Sequence, residues 1–398
     1  MEKLLKTYYE IRKQLKAYHY AMYLISWDSA TEAPKGCFED RGKHVGVLTE
    51  LSYKLQTSPE YVEAVNGLFN NLDKLDPVLK HEIEVIKKEN DRTLKIPMNE
   101  FVEFQVLMAS SQEIWANAKI KSDFNLFKPC LTKIVEFLRK YTKYLETEAL
   151  KGYDILLDTY EHQFTSKEYD EFFSLLKTKL VPFFKKVSAM KLDYDDSFSR
   201  LFYDKAKQKE FCEYIQDVLC YDRNYGLMKE SEHPFTSGSG TTDVRFTVHY
   251  YEHEFTSAIF SAIHELGHAT YELQVDPSLN DTYCSGGASM AIHESQSRLY
   301  ENMLGRSYAF WETHLPKLKE LFPEQLKDIE VNDLYKLVNT VQASYIRTEA
   351  DELSYPLHIM LRYDLEQALI NNELQIENIE KAWNDLFYKY FGIEVKNV

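Results

Sequence analysis

Ile134-Val-Glu-Phe-Leu-Arg-Lys-Tyr-Thr-Lys-Tyr-Leu145 sets apolar side chains at positions 134, 137, 138, 141 and 145. That spacing lines one face of a 3.6-residue helix and predicts an amphipathic helix here. Working outward, the chain from Pro97 to Gly226 is interrupted only at Pro129, Gly152 and Pro182. Long antiparallel helices with apolar faces turned inward are therefore expected. Pro129 and Pro182 are expected in first turns, where a missing N–H costs nothing. Thirteen Gly and 11 Pro in 398 residues are about half the usual share of roughly 12%. Turn-rich all-β folds need more of both, so the fold class expected is mainly α.

Seven of the 13 glycines fall between Gly226 and Gly305. Loops carried on a rigid scaffold tend to hold functional sites, which directs attention to this stretch. Within it, Asp243-Val-Arg-Phe-Thr-Val-His-Tyr250 alternates with period two, Val244, Phe246 and Val248 against Arg245, Thr247 and His249. A short β-hairpin or sheet beside the site is the reading. Helical spacing resumes over Glu254–Gln274, with Ile259, Ile263 and Leu266 on one side. No repeat, low-complexity segment or Pro/Ser-rich linker divides the chain. A single domain over residues 1–398 is expected, with a helical half over 1–225 and a site-bearing half over 226–398.

Composition excludes other classes. With 44% hydrophobic and 28% charged residues, the chain is an ordinary globular sequence. A net charge of −16 argues against nucleic acid and anionic membranes. The longest apolar run, about Ala21 to Trp27, is far short of the roughly 18 residues of a membrane span. The N-terminal Met-Glu-Lys-Leu-Leu-Lys has no signal-peptide pattern. Five scattered cysteines (Cys37, Cys130, Cys212, Cys220, Cys284) read as reduced thiols, and hence as a cytoplasmic protein.

His264-Glu-Leu-Gly-His268 carries the chemistry. Residues at i and i+4 share a helix face, so His264 and His268 can offer two imidazoles to one metal ion. Glu265 stands beside them, where a carboxylate can handle a water's protons without being a ligand. Two unpartnered histidines on a core-facing helix would be costly. A catalytic zinc needs a third ligand and an open fourth position. Glu294, in Ser289-Met-Ala-Ile-His-Glu-Ser-Gln-Ser-Arg298 after Gly286-Gly287, is the best candidate. A tight turn there would bring the next helix back antiparallel. Glu301, His293 and Glu272 are rivals.

The sequence resembles the Taq-type thermostable carboxypeptidase family of zinc metallocarboxypeptidases. The resemblance rests on Trp27-Asp28 with Pro34, His233-Pro-Phe-Thr236, Asp243-Val-Arg-Phe-Thr247, His264-Glu-Leu-Gly-His268, His293-Glu-Ser-Gln296 and Ile346-Arg-Thr-Glu-Ala-Asp351, in order along the chain. It implies a long-helix metallopeptidase fold similar to neurolysin, with a deep groove between helical halves. It also implies hydrolysis of the C-terminal peptide bond of peptides, a zinc cofactor for which cobalt can substitute, and a homodimer. By the same resemblance His264, His268 and Glu294 are the metal ligands. Glu265 is the general base for a metal-activated water. Arg347 is the receptor for the substrate's carboxylate, a task suited to a planar guanidinium. The alternative for Arg347 is an i, i+4 pair with Asp351 on a helix surface. Arg245, with Asp243, lines the substrate groove or forms an ion pair fixing the strand. His233 donates to the developing oxyanion or sits in a capped turn before Pro234. The family pattern continues with Gly-x-x-Gln-Asp-x-His-Trp, and this chain stops at Phe391-Gly-Ile-Glu-Val-Lys-Asn-Val398, about where that motif is expected. An internally cutting metallo-oligopeptidase and a catalytically impaired zinc- or peptide-binding remnant are the alternative readings.

Overall fold

A computed structural model of the protein describes residues 1–34, 36–190 and 194–395. The last three residues of the Phe391–Val398 stretch lie outside the described residues. The chain divides into two compact units. One comprises residues 1–155, 237–244 and 272–287, the other residues 156–236, 245–271 and 288–398.

The first unit is built on α1 (Glu2–Thr31), α2 (Phe38–Gln56), α3 (Pro59–Phe69), α4 (Pro77–Thr93), α5 (Met98–Lys121) and α6 (Phe124–Leu145). Side-chain caps start several of them. Ser58 and Asp76 accept from backbone N–H groups at the heads of α3 and α4, each followed by a proline at the first helical position, where its fixed φ suits the helix. The core of this unit joins Tyr8 and Leu15 of α1 to Tyr61, Val65 and Leu68 of α3 and Ile83 and Ile86 of α4. Arg12 and Glu82 form an ion pair of 2.7 Å among them, and Glu82 also accepts the Tyr283 N–H.

The second unit holds α8 (Ser166–Ser188), α9 (Lys205–Val218), α10 (Phe255–Leu273), α11 (Met290–Arg298), α12 (Tyr308–Leu321), α13 (Pro323–Leu326), α14 (Val331–Val338), α15 (Tyr355–Ile370) and α16 (Ile379–Phe391). The short α7 (Tyr153–Tyr160) spans the boundary. A π-helical segment, Leu299–Gly305, continues α11. Strands β1 (Gly226–Glu230), β2 (Thr236–Gly238) and β3 (Val244–Val248) form one sheet in the order β1-β3-β2. The molecule is thus mainly α with a small sheet. No helix among the described residues is long and apolar enough to cross a membrane.

Three expectations are corrected. Pro129 and Pro182 lie inside α6 and α8 rather than in their first turns. Each removes one i→i−4 bond, at about 3 kcal/mol, and burial along the rest of the helix carries it through: Cys130, Val135 and Leu145 in α6, Phe173 and Phe184 in α8. The alternation in β3 holds for Val244, Phe246 and Val248, yet Thr247 is also fully buried. Its hydroxyl is consumed by the Ser231 hydroxyl (2.7 Å) and the Phe235 N–H (3.0 Å), which satisfies the group without water. Finally, the link from α10 to α11 is no tight turn. It runs over residues 274–289 and includes a 3₁₀ turn at Pro277–Leu279.

Candidate metal centre

Seven apolar residues of α10 (Phe255, Ala258, Ile259, Ala262, Ile263, Leu266 and Ala269) are at most 1% exposed. They recur at i, i+3 and i+4, so one stripe of the helix is sunk in the core. Burying each large member contributes about 1.5–3 kcal/mol, which leaves α10 little freedom to rotate. His264 and His268 emerge on the other side. Helix α11 opens on Ser289, whose hydroxyl accepts the Ile292 N–H, and carries Glu294. Its backbone packs against Gly267: a Cβ there would lie 2.7 Å from Ser297 Cα and 2.9 Å from Gln296 O. Only glycine permits this approach.

The result is a converging donor set. Nε2 of His264 and Nε2 of His268 lie 3.6 and 3.4 Å from Glu294 Oε2. Among the described residues, His264, His268 and Glu294 are the group able to hold a metal ion, with all ligand atoms within 4.8 Å of one another. Tetrahedral bonds of about 2.0–2.1 Å set their ligand atoms about 3.3 Å apart. Two imidazole nitrogens and one carboxylate oxygen therefore fit a divalent ion such as zinc or cobalt, with a fourth position left open.

The outward faces of these ligands are held as well. His264 Nδ1 donates to Glu301 Oε2 at 2.8 Å. Glu301, on the π-helical segment, is buried and also accepts from Arg298 Nη1 (2.9 Å) and Arg306 Nη2 (3.0 Å). Burial raises the Glu301 carboxyl pKa, but the His264 hydrogen bond and the charges of Arg298, His264 and Arg306 outweigh it and bring the group down to about 2. Glu294 is half-buried; desolvation raises its carboxyl, but the contacts with His268, His264 and Arg298 outweigh this and hold it well below the usual carboxylate range. His268 Nδ1 faces His293 Nδ1 at 2.6 Å. Arg298 Nε and the Tyr355 hydroxyl donate to Glu294 Oε1 at 3.0 and 3.2 Å. Arg298 also stacks on Tyr355, 3.6 Å from the ring centroid.

Glu265 is buried beside the ligands. Its Oε2 accepts the Thr236 hydroxyl of β2 at 2.7 Å. Burial pushes its carboxyl above the usual range, against the pull of the His264 charge and the Thr236 bond. Among the rival ligands, Glu301 and His293 meet the outer nitrogens of the imidazoles. Glu272 accepts the Gly287 N–H at 2.9 Å and so fixes the loop.

Arg347 lies in a 3₁₀ turn, Arg347–Glu349, and Asp351 sits in the turn before α15, accepting the Leu353 and Ser354 N–H groups. The i, i+4 helix-surface pair is therefore excluded, because no α-helix joins the two. Arg347 Nη1 instead donates to the Tyr355 hydroxyl at 3.1 Å. Arg245 is half-buried in β3, and Asp243 accepts from the Tyr20 and Tyr23 hydroxyls at 3.1 and 3.2 Å. His233 is exposed, and its carbonyl accepts the Ser231 hydroxyl. Arg298, Arg306, Tyr355 and the role of Thr236 escaped sequence reasoning. Arg298 alone had a signal, standing four residues after Glu294.

The sequence profile of the family described as carboxypeptidase Taq (M32) metallopeptidase matches residues 7–398. The chain belongs to this family. Carboxypeptidase 1 of Bacillus subtilis is 40% identical over 388 residues, covering 98% of this chain and 77% of the relative. Thermostable carboxypeptidase 1 of Pyrococcus furiosus is 32% identical over 391 residues, covering 96% of this chain and 76% of that protein. The crystal structure of BsuCP superposes with a TM-score of 0.96 at 39% identity, over all of this chain and 80% of the other. Family membership and the His/His/Glu cluster agree on the activity, that of a zinc-dependent metallocarboxypeptidase.

Proposed function

We propose that this M32 member removes the C-terminal residue of peptides with Glu265 as general base and Arg347 as receptor for the terminal carboxylate. The observation that carries the assignment is a short chain of contacts. Two hydrogen bonds, of 3.1 and 3.2 Å, run from the Arg347 guanidinium through the Tyr355 hydroxyl to Oε1 of Glu294. A carboxylate paired with Arg347 therefore lies close to the ligand cluster, which suits the last peptide bond rather than an internal one. An internally cutting peptidase has no use for a cation there.

Zinc held by His264, His268 and Glu294 would supply Lewis acidity, polarising the scissile carbonyl and acidifying water. Glu265 takes a proton from the attacking water. Its raised pKa brings it nearer to neutrality, where a base can also return the proton to the leaving amine. Thr236 holds one carboxylate oxygen, so the other is the one that turns to the water. Arg245 and His233 are read as substrate-groove residues, with His233 a donor to the developing oxyanion. The reading treats residues 1–398 as a single metallocarboxypeptidase domain akin to neurolysin, in a cytoplasmic homodimer. It draws on the family resemblance and on five cysteines that are all free.

The test compares wild type and Glu265→Gln on matched peptides ending in a free acid or an amide. The variant is expected to keep its zinc and lose about 10²–10⁴-fold in kcat, and wild type to reject the amides. Equal cleavage of amides and acids would refute the role of Arg347. A Glu265→Gln variant at wild-type rate would refute that of Glu265.

A further inference from the structure

We propose that Arg298 is a positioning residue that sets the denticity of Glu294 and couples it to the orientation of His264. One guanidinium touches both ligand arms. Its Nε donates to Oε1 of Glu294 at 3.0 Å, and its Nη1 to Oε2 of Glu301 at 2.9 Å. That same Glu301 oxygen accepts from His264 Nδ1 at 2.8 Å.

Two consequences follow from the chemistry of each group. Oε1 of Glu294 already has two donors, Arg298 Nε and the Tyr355 hydroxyl at 3.2 Å. Oε2 carries one neutral donor, the Ser297 hydroxyl at 3.1 Å, and faces both imidazole Nε2 atoms, so it is the oxygen open to an ion. Glu294 thus ligates through one oxygen and leaves the open position free. On the other arm, a carboxylate at Nδ1 fixes the His264 tautomer, because an ionised carboxylate only accepts. The ring proton sits on Nδ1 and the Nε2 lone pair faces the centre, the outer-shell arrangement that orients metal-ligating histidines. Arg306 Nη2, at 3.0 Å from Oε1 of Glu301, holds that carboxylate from its far side.

The fork is what links the arms. In arginine, Nε and Nη1 belong to one rigid plane, so Glu294 and Glu301 are held at a set separation. Stacking on the Tyr355 ring fixes the orientation of that plane. The helix changes from α to π immediately after Arg298, a device found mostly at functional sites. It places Glu301 on the outer nitrogen of His264 while Glu294, one helix segment earlier, faces the inner one. A lysine carries its donors on a single nitrogen and lacks the planar fork that holds the two bonds at a set spacing.

The inference rests on His264, His268 and Glu294 holding the ion. The experiment therefore measures zinc affinity by chelator competition, and the visible spectrum of the cobalt-substituted protein, for wild type, His264→Ala, Arg298→Lys and Tyr355→Phe. Arg298→Lys is expected to bind zinc about 10–100-fold more weakly. Its cobalt bands should weaken, the mark of a coordination number raised by a second Glu294 oxygen. Tyr355→Phe, which removes a donor to the same oxygen without removing a charge, should shift the bands in the same direction by less. It serves as the readout if Arg298→Lys does not fold. A wild type and His264→Ala of equal affinity would sink the ligand assignment itself. A normal wild type with Arg298→Lys within twofold in affinity and superimposable in spectrum would overturn the role of Arg298 alone. Loss of apo-protein melting temperature without change in either metal readout would do the same.

Discussion

Replacing Gly267 by alanine adds one carbon where two helices meet. That carbon would stand 2.7 Å from Ser297 Cα, 2.9 Å from Gln296 O and 3.2 Å from Ser297 N. All three atoms are backbone, so no side chain can swing aside. Carbon pairs rest at about 3.5–4.0 Å, and α11 must retreat by roughly 1 Å to make room. The retreat carries Glu294 away from His264 and His268, which are pinned by the buried stripe of α10. Metal–ligand distances tolerate about 0.2 Å, so the displacement is several times what the site can absorb. On stability alone the effect is modest. Overpacking costs about 1–3 kcal/mol, and alanine returns about 1 kcal/mol of helix propensity. Function should fall much further, by at least about 10-fold in zinc affinity, with kcat/KM down about 100-fold, as expected for a misplacement of this size. Chelator competition measures the first, peptide hydrolysis the second, and thermal melting of the metal-free protein separates both from unfolding. A Gly267→Ala protein that binds zinc within twofold of wild type and turns over normally would refute the claim that this contact positions the third ligand.

Two further predictions concern pH. Burial, and then the charge of Glu254, push Glu349 up to about 7, with Ser257 donating to it at 2.9 Å. A raised carboxyl pKa favours the protonated native state, so its contribution is full below about 4.5 and lost as pH rises through 7. Discounted for partial exposure, it is on the order of 2–3 kcal/mol; urea titrations of Glu349→Gln should lack that fall, and parallel pH profiles would refute the assignment. Burial, and then the Arg362 charge, lower His358 to about 4 beneath the Phe391 ring, 4.6 Å away. Here stability is present above about 6.5 and lost as pH falls through 4, by on the order of 3 kcal/mol. His358→Leu should flatten that acid limb, and an unchanged limb would count against it.

Much of this was legible in the sequence because periodicity and ligand spacing are local. The apolar spacing around Ile134 and Ile263 marked two helices, and the i, i+4 histidines marked the face that carries the ligands. What escaped depends on contacts distant in sequence. Tyr355 reaches Glu294 across 61 positions with no pattern to announce it. Glu301 was a fair rival, since seven residues from Glu294 is two helical turns. Only the position of His264 between them shows that one carboxylate takes the inner nitrogen and the other the outer. The tight turn expected at Gly286-Gly287 failed because two glycines license a bend without specifying how much chain surrounds it. Pro129 and Pro182 failed because the proline penalty is local while the burial that overcomes it is spread along whole helices.

The five-residue motif also contains more than its ligands. At about 100° per residue, His264 and His268 lie some 40° apart and bracket the direction of the ion. Leu266 then points almost directly away from it, and it is fully buried. Glu265 and Gly267 fall about 80° to either side. On the first flank Thr236 of β2 meets the Glu265 carboxylate at 2.7 Å. On the second, the absence of a side chain admits the backbone of α11, and with it Glu294. One turn of helix thus assigns a direction to every partner: the donor cluster forward, core behind, Glu265 and the strand that holds it on one flank, Glu294 and its helix on the other. Exchanging the residues at 265 and 267 would keep both histidines and the composition, yet put a carboxylate where α11 must pass and leave the Thr236 hydroxyl only the backbone carbonyl of residue 265. Such a variant is expected to bind zinc far more weakly in chelator competition and to hydrolyse no peptide; wild-type behaviour in both would refute the idea that the order of the residues between the histidines, and not only the histidine spacing, specifies the site.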